Sequence, residues 1–169
     1  EAATQWTERR ELLRDVNEAR LSESERYVYA HLRKYEQTVL ARLWLAQGRT
    51  EEALQLLDGL LPTVENARRM GMAIEVQGLR AMALHALGND GEALLALENA
   101  LALAEPEGYV RIFVDEGAPM AALLRLGTER GTWSTPQLSG YANRLLTTLA
   151  SESKVEPAST LQSPISNLQ

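Results

Sequence analysis

Cysteine is absent from this chain of 169 residues, and lysine, aromatic side chains and long apolar runs are scarce. Without cysteine, the chain cannot form disulfides, thiolate nucleophiles or cysteine-ligated zinc sites. No apolar run approaches the roughly 18 residues that cross a bilayer, and no signal-peptide pattern opens the sequence. We therefore expect no membrane contact, and the lack of cysteine is compatible with the cytoplasm, where we place the protein.

Positive charge is limited as well. The formal net charge is −6, and only two lysines occur, so arginine carries nearly all of the positive charge. Affinity for nucleic acid comes mainly from clustered lysine and arginine side chains at the phosphates. We therefore expect no direct nucleic-acid contact by this chain.

Alanine, leucine, glutamate and arginine are abundant, whereas aromatic residues make up 5% of the chain. Because the abundant residues lose little on entering a helix, the composition predicts an all-α fold. Apolar residues at three- and four-residue spacing predict helices over 25–47, from Thr50 onward, over 73–87 and from Asp90 to Ala104. We expect Pro62 to kink or break the second helix near Leu61 and Gly71 to end that segment.

Two of the predicted hairpins repeat each other. The stretch LAQGRTEEALQLLDGLL (45–61) returns as HALGNDGEALLALENAL (85–101), and 41–61 aligned with 81–101 gives eight identities in 21 positions. The shared pattern G-x-x-x-E-A-L after an apolar helix resembles the tetratricopeptide repeat, although the period is 40 residues instead of 34. This resemblance implies antiparallel helical hairpins stacked in a right-handed superhelix, an α-α solenoid. Since two repeats are few for such a stack, we expect the natural protein to continue upstream.

The segment after the second repeat, EPEGYVRIFVDEG (105–117), has a β-like stretch, YVRIFV. A lone strand would leave its backbone groups unpaired, so we favour a short helix over 108–116 that Gly117 stops. A further helix over 119–127 would end at Gly127, and the two would form a third hairpin. After a loop with Trp133, a last helix is predicted over 137–150.

The order of these segments resembles the sensor region of MalT-like, large ATP-dependent LuxR-type bacterial transcriptional regulators, and EPEGYVRIFVDEG is the most specific part. The resemblance covers roughly 4–126. It implies an ATPase module upstream, an inducer or a regulatory protein as partner of the repeats, and a helix-turn-helix downstream. The sequence has no Walker A loop, so ATP is expected in an upstream domain and no cofactor in this chain.

Four regions follow from this comparison. We expect the end of an upstream helical repeat over 1–24, the repeat domain over 25–127 and a loop with a closing helix over 128–150. The segment 151–169 is rich in serine, proline and glutamine and is expected to be a flexible linker toward an absent DNA-binding module.

A ligand groove is expected along the first helix of each hairpin, because that helix lines the concave face in tetratricopeptide-like superhelices. Arg42 and Arg111 could fork a carboxylate, a phosphate or sugar hydroxyls, and Tyr35 could stack on a ring. The groove candidates are Tyr35, Thr38, Arg42, Glu75, Met82, His85 and Arg111. For each residue the alternative is a solvated helix face or a local ion pair.

Catalysis and metal binding are not expected. No G-x-S-x-G motif occurs, and no histidine or carboxylate follows His85 at i+4. The adjacent carboxylates Asp115 and Glu116 are interpreted as a charged helix end.

Two functions remain open. The first is a signal-sensing domain of a LuxR-type regulator, and the second is a tetratricopeptide-like scaffold for protein–protein interaction unrelated to transcription. A P-loop upstream and a helix-turn-helix downstream would decide for the first. Self-association through the exposed end of a short array is a further expectation.

Overall fold

The computed structural model describes residues 22–66 and 70–153, and this part of the chain contains seven helices and no strand. Residues 1–21 of the predicted upstream repeat (1–24) and residues 154–169 of the predicted linker (151–169) lie outside the described residues. The first four helices are α1 (Glu23–Ala46), α2 (Thr50–Asn66), α3 (Met70–Ala86) and α4 (Asp90–Ala104). The all-α prediction is thus confirmed.

Glycines in the left-handed region turn the corner within each of these two hairpins. Gly48 has φ 74° and follows α1, and Gly88 has φ 80° and follows α3. A residue with a Cβ atom is strained in this conformation, so glycine ends each first helix. The repeated glycine of the sequence pattern therefore has the same backbone role in both hairpins.

Two predicted helix boundaries are wrong. Of the predicted kink or break near Leu61, the break is wrong, because helix α2 runs through Pro62 to Asn66. Pro62 and Asp58 are both exposed, so water can satisfy the Asp58 carbonyl that lacks a proline amide partner. Gly71 does not end a segment; it lies in the first turn of α3, where an added Cβ would come 3.9 Å from the Tyr109 hydroxyl.

Helix α3 contributes to two apolar cores. One core joins α1, α2 and α3, with buried residues Ala41, Leu57, Leu60, Val64, Met72, Ala73, Val76 and Leu79. The other extends from α3 through the C-terminal helices and includes Ile74, Leu84, Leu97 and Leu101. A fully buried leucine such as Leu57 contributes about 1.5–3 kcal/mol through burial alone. The repeat has three leucine pairs, Leu54/Leu94, Leu57/Leu97 and Leu61/Leu101, and all of them are buried except Leu54 and Leu61, which are partly exposed.

Three further helices complete the described part: α5 (Arg111–Val114), α6 (Ala118–Arg130) and α7 (Pro136–Glu152). Helix α6 packs against α3 and α7 packs against α4, and the two contact each other most closely. The third hairpin is therefore α6 with α7, whereas the sequence predicted that the helices flanking Gly117 would form it. We call α1/α2, α3/α4 and α6/α7 the first, second and third layers.

The predicted third hairpin stopped at Gly127, because this glycine was expected to end its second helix. Gly127 is buried inside α6, which continues to Arg130 and ends at Gly131 with φ 62°. An added Cβ at Gly127 would overlap the Trp133 indole and lie 3.1 Å from Leu94 Cδ2. Gly127 thus makes room for the Trp133 ring, whose Nε1–H donates to Thr128 Oγ1 at 3.1 Å.

The YVRIFV stretch (109–114) is not a strand, and its last four residues form a helix that is shorter than the predicted 108–116. Helix α5 buries Phe113 and Val114, and the Phe113 ring meets Tyr141 of α7 edge-on with centroids 6.2 Å apart. The Tyr141 hydroxyl donates to the Tyr109 carbonyl. These contacts join the segment before α5 to the third layer.

None of the described helices is both long enough and apolar enough to cross a membrane.

Candidate functional site

Arg42 of α1 connects the first layer to the second and to the turn that leads into the third. Its NH1 group donates to Glu75 Oε1 of α3 at 2.7 Å. Its Nε and NH2 groups donate to Glu116 Oε1, in the turn before α6, at 2.8 and 2.6 Å. We call these three residues the Arg42 brace, because one guanidinium holds a carboxylate of the second layer and a carboxylate of the turn that leads into the third.

The Arg42 brace is only partly open to solvent. The side chains of Arg42, Glu75 and Glu116 are 37%, 17% and 11% exposed. Burial by itself would lower the Arg42 pKa, but the hydrogen bonds and charges of Glu116 and Glu75 outweigh it and raise that pKa. Arg42 therefore stays charged, and the cluster of one cation and two carboxylates has a formal charge of −1.

Arg42 was predicted to fork a ligand carboxylate, phosphate or sugar, and it forks two carboxylates of its own chain instead. An anionic ligand would compete with Glu75 and Glu116 for this guanidinium. Glu116 was interpreted from the sequence as a charged helix end, and its role was missed. No sequence signal links residues 74 positions apart; only the stacking of the layers brings them together.

An exposed apolar row on α1 lies beside Arg42. Leu32, Tyr35 and Val39 are 54%, 53% and 63% exposed. Their spacing of three and four residues places them on one face of the helix, and Arg42 follows three residues later on the same face. We call Leu32, Tyr35 and Val39 the α1 stripe. Of these, Tyr35 was one of the groove candidates predicted from the sequence, and Leu32 and Val39 were not.

The other two candidates on or near this face do not offer polar groups to a ligand. Thr38 is buried, and its hydroxyl donates to the Tyr35 carbonyl at 2.9 Å. Met82 of α3 is half-buried and packs against both apolar cores. Thr38 and Met82 therefore have structural contacts, and their predicted binding roles remain predictions.

His85 belongs to a separate cluster at the start of α4. Its Nδ1 lies 2.8 Å from Asp90 Oδ1, and Arg130 of α6 donates to Asp90 Oδ2 at 2.7 Å. The hydrogen bond with His85, followed by that with Arg130, lowers the Asp90 pKa. Asp90 is the first helical residue of α4, as the sequence predicted, and Asn89 precedes it without a side-chain cap.

Arg111 is directed toward the third layer and not toward Arg42. It donates to Glu152 of α7 at 2.6 Å and pairs with Asp115, four residues along, at 2.8 Å. At 68% exposed, its ion pairs contribute little to stability. The structure thus brings Arg42 and Glu75 into contact, places Tyr35 on the same face as Arg42, and gives His85 and Arg111 other partners.

Among residues 22–66 and 70–153, no group of three or more histidine, cysteine or carboxylate side chains is placed to hold a metal ion.

Comparison with known protein families identifies the family to which this helical repeat belongs. The sequence model described as the MalT-like TPR region matches residues 2–130, which is most of the chain. The chain belongs to the MalT-like tetratricopeptide repeat family. No curated protein and no solved structure matches it significantly. Family membership confirms the resemblance drawn from EPEGYVRIFVDEG, and it identifies the chain as a helical-repeat regulatory domain.

In this MalT-like TPR region the matched span ends with α6, and α7 follows it. The match includes both hairpins of the repeat, the Arg42 brace and the α1 stripe. Helix α7 completes the third layer by covering α4 and the Phe113 ring.

Proposed function

We propose that this chain is the signal-receiving region of a LuxR-type bacterial transcriptional regulator and that its signal binds at the α1 stripe. Membership in the MalT-like TPR family is the observation that carries the proposal. The ATPase and DNA-binding steps belong to other modules of such a regulator. The signal is a small-molecule inducer or a regulatory protein in the cytoplasm.

The position of the α1 stripe supports this assignment. It exposes three large apolar side chains in register on the first helix of a hairpin, the helix that lines the concave face in tetratricopeptide-like stacks. Exposed apolar patches of this kind mark interaction sites on soluble proteins. A partner seated on Leu32 and Val39 would lie directly beside Arg42.

The Arg42 brace supplies a route for the signal. A partner that moves Arg42 changes its hydrogen bonds to Glu75 in the second layer and to Glu116 in the turn before the third. Glu116 lies immediately before α6. Binding on the first layer would thereby shift the third layer, which is nearest along the chain to the expected DNA-binding module.

The same α1 stripe favours a protein partner over a polar metabolite, which keeps the scaffold function as the second candidate. A row of apolar residues at helical spacing matches the apolar face of a partner helix. A scaffold unrelated to transcription would use this face without any change at Glu116. The two candidates therefore differ in whether binding alters the third layer.

A ligand panel tests the first candidate. Thermal unfolding of the chain is measured with sugars, nucleotides, amino acids and aromatic metabolites, because a ligand that binds only the folded state raises the Tm. Each compound that raises the Tm is then titrated by calorimetry into the wild-type chain and into the Val39→Ser variant. The control is Leu95→Ser on α4, because Leu95 is also an exposed apolar residue, at 59%.

A saturable hit weakened by Val39→Ser and retained by Leu95→Ser supports the α1 stripe as the site of a small-molecule inducer. A hit that both substitutions leave unchanged contradicts that assignment. If no compound binds, the inducer form of the proposal fails, and capture of the full-length regulator's partner with Val39→Ser as control tests the protein form.

A further inference from the structure

The Arg42 brace gives one end of the α1 stripe a negative charge. Val39 is the last residue of the stripe, and Arg42 follows it by three residues, which is about one turn along the same face of α1. There the guanidinium of Arg42 meets the carboxylates of Glu75 and Glu116, so one positive and two negative charges leave a formal charge of −1. The row of exposed apolar side chains on α1 therefore ends at an acidic group.

Both carboxylates of the brace have acceptor capacity that Arg42 does not use. Glu75 accepts one hydrogen bond from Arg42 and Glu116 accepts two, in each case at Oε1. An ionised carboxylate has about four acceptor positions on its two oxygens. Because the Glu75 and Glu116 side chains are only 17% and 11% exposed, an added cation would be attracted more strongly there than at an open surface. Arg111, the other arginine predicted for this groove, donates to Glu152 instead.

The repeat shows which kind of surface covers the α1 stripe positions. Leu32 and Val39 precede Met72 and Leu79 by 40 residues, the period of the repeat. Met72 and Leu79 are buried in the core that α3 shares with α1 and α2, so helices of the preceding layer cover this register in the second hairpin. In the first hairpin Leu32 and Val39 are 54% and 63% exposed. A helix is therefore the element that fits this face.

We propose that the α1 stripe binds an amphipathic helix of a partner protein, and that this helix carries an arginine or a lysine beside its apolar face. Its apolar side chains cover Leu32 and Val39, and its cation binds Glu75 and Glu116 at the end of the row. This partner is the regulatory protein of the function proposed above, on which the proposal rests. The charge of the brace disfavours a helix with an acidic residue at that position.

Fluorescence anisotropy with two designed helical peptides tests the proposal on the whole chain. The first peptide is alanine-rich, with leucines at three- and four-residue spacing and an arginine one turn beyond the leucines at each end. Either direction of the peptide along α1 then brings an arginine to Glu75 and Glu116. The second peptide has glutamine at both arginine positions. We expect the arginine peptide to bind about ten-fold more tightly at low salt, and this preference to shrink as salt is raised.

Substitutions locate the contacts. Val39→Ser should weaken both peptides, whereas Leu95→Ser on α4 should weaken neither. Glu75→Gln should reduce the preference for the arginine peptide to about three-fold or less. Its control is Glu92→Gln, which removes an exposed carboxylate of α4 and should leave the preference unchanged. Arg42→Gln should act in the opposite direction and raise the preference above about ten-fold, because it leaves two carboxylates without their cation.

Equal binding of the two peptides, binding that Val39→Ser leaves unchanged, or no binding of either peptide would each overturn the proposal. Sedimentation of the chain adds a fourth such result: a dimer that dissociates in Val39→Ser, since a second copy would then cover the stripe. The ligand panel decides the small-molecule form of the proposed function separately, so the two failures are distinguishable.

Circular dichroism of each variant separates loss of binding from loss of folding. If Glu75→Gln or Arg42→Gln unfolds, the two peptides on the wild-type chain and on Val39→Ser still decide the question.

Discussion

Replacing Gly127 by alanine should destabilise the protein, although the same change in most helices is favourable. Alanine in place of glycine inside a helix usually stabilises by about 0.5–1 kcal/mol. At Gly127 the new methyl group would overlap the Trp133 indole and lie 3.1 Å from Leu94 Cδ2. Leu94 can adjust because its contacting atom ends a flexible side chain, but the ring is rigid and must move as a unit.

The magnitude follows from what the ring would lose. Overpacking a buried site costs about 1–3 kcal/mol. If the indole swings out instead, the 3.1 Å bond from its Nε1–H to Thr128 Oγ1 is lost, at a cost of about 1 kcal/mol plus the burial of the half-buried ring. After the helix-propensity gain of about 0.5–1 kcal/mol is subtracted, we expect Gly127→Ala to lower the free energy of unfolding by up to about 2.5 kcal/mol.

Urea denaturation followed by circular dichroism measures this change. Gly59→Ala is the matched control, because it is a helical glycine whose Cβ would meet no atom within 4 Å, and it should stabilise by about 0.5–1 kcal/mol. In a Trp133→Ala background the penalty at Gly127 should disappear. The reasoning is refuted if Gly127→Ala stabilises the wild-type background as much as Gly59→Ala does.

Three further outcomes are expected. Glu116→Gln and Arg42→Gln should each destabilise by about 1–3 kcal/mol, and a double-mutant cycle should show that their effects are not additive; additive effects would contradict the brace. Burial raises the Tyr141 pKa to about 12, whereas a tyrosine in the unfolded chain titrates near pH ~10. The free energy of unfolding should therefore be unaffected below pH ~10 and should fall as the pH rises from there toward about 12. Tyr141→Phe should abolish this alkaline loss in a pH series of urea midpoints, and an unchanged loss would point to another group. Since the Asp90 pKa is lowered from 3.8, its contribution should be present at neutral pH and lost on acidification through the folded-state pKa, and the stability difference between wild type and Asp90→Asn should narrow there.

The first two hairpins could be predicted from the sequence because their signals are local. The glycine that must adopt positive φ, the leucines at helical spacing and the small residues at the helix seam all lie within one repeat. Gly48 and Gly88 turn the chain as predicted, with φ 74° and 80°. The EPEGYVRIFVDEG segment also gave the family, because its order of residues is specific and not merely helical.

The third layer and most of the site contacts could not be predicted, because they depend on packing between distant segments. Glycine commonly ends helices, so the sequence predicts that a helix stops at Gly127. The presence of this glycine inside α6 is explained only by the Trp133 ring that packs on it. From the sequence alone, Glu116 is interpreted as part of a charged helix end. Its hydrogen bond with Arg42 of α1 is visible only in the folded structure. Arg42 was predicted to bind a ligand, and the sequence does not reveal that its guanidinium contacts two carboxylates of the same chain.

The Arg42 brace also has a consequence for how the array unfolds. In a linear repeat protein each unit contacts only its neighbours, so stability is a sum of unit and nearest-neighbour terms. The bond from Arg42 to Glu116 connects the first layer to the turn that starts the third, which adds a next-nearest-neighbour term. Fraying of either end of the three-layer array therefore weakens the other end, and the array should melt with a cooperativity that a nearest-neighbour description underestimates.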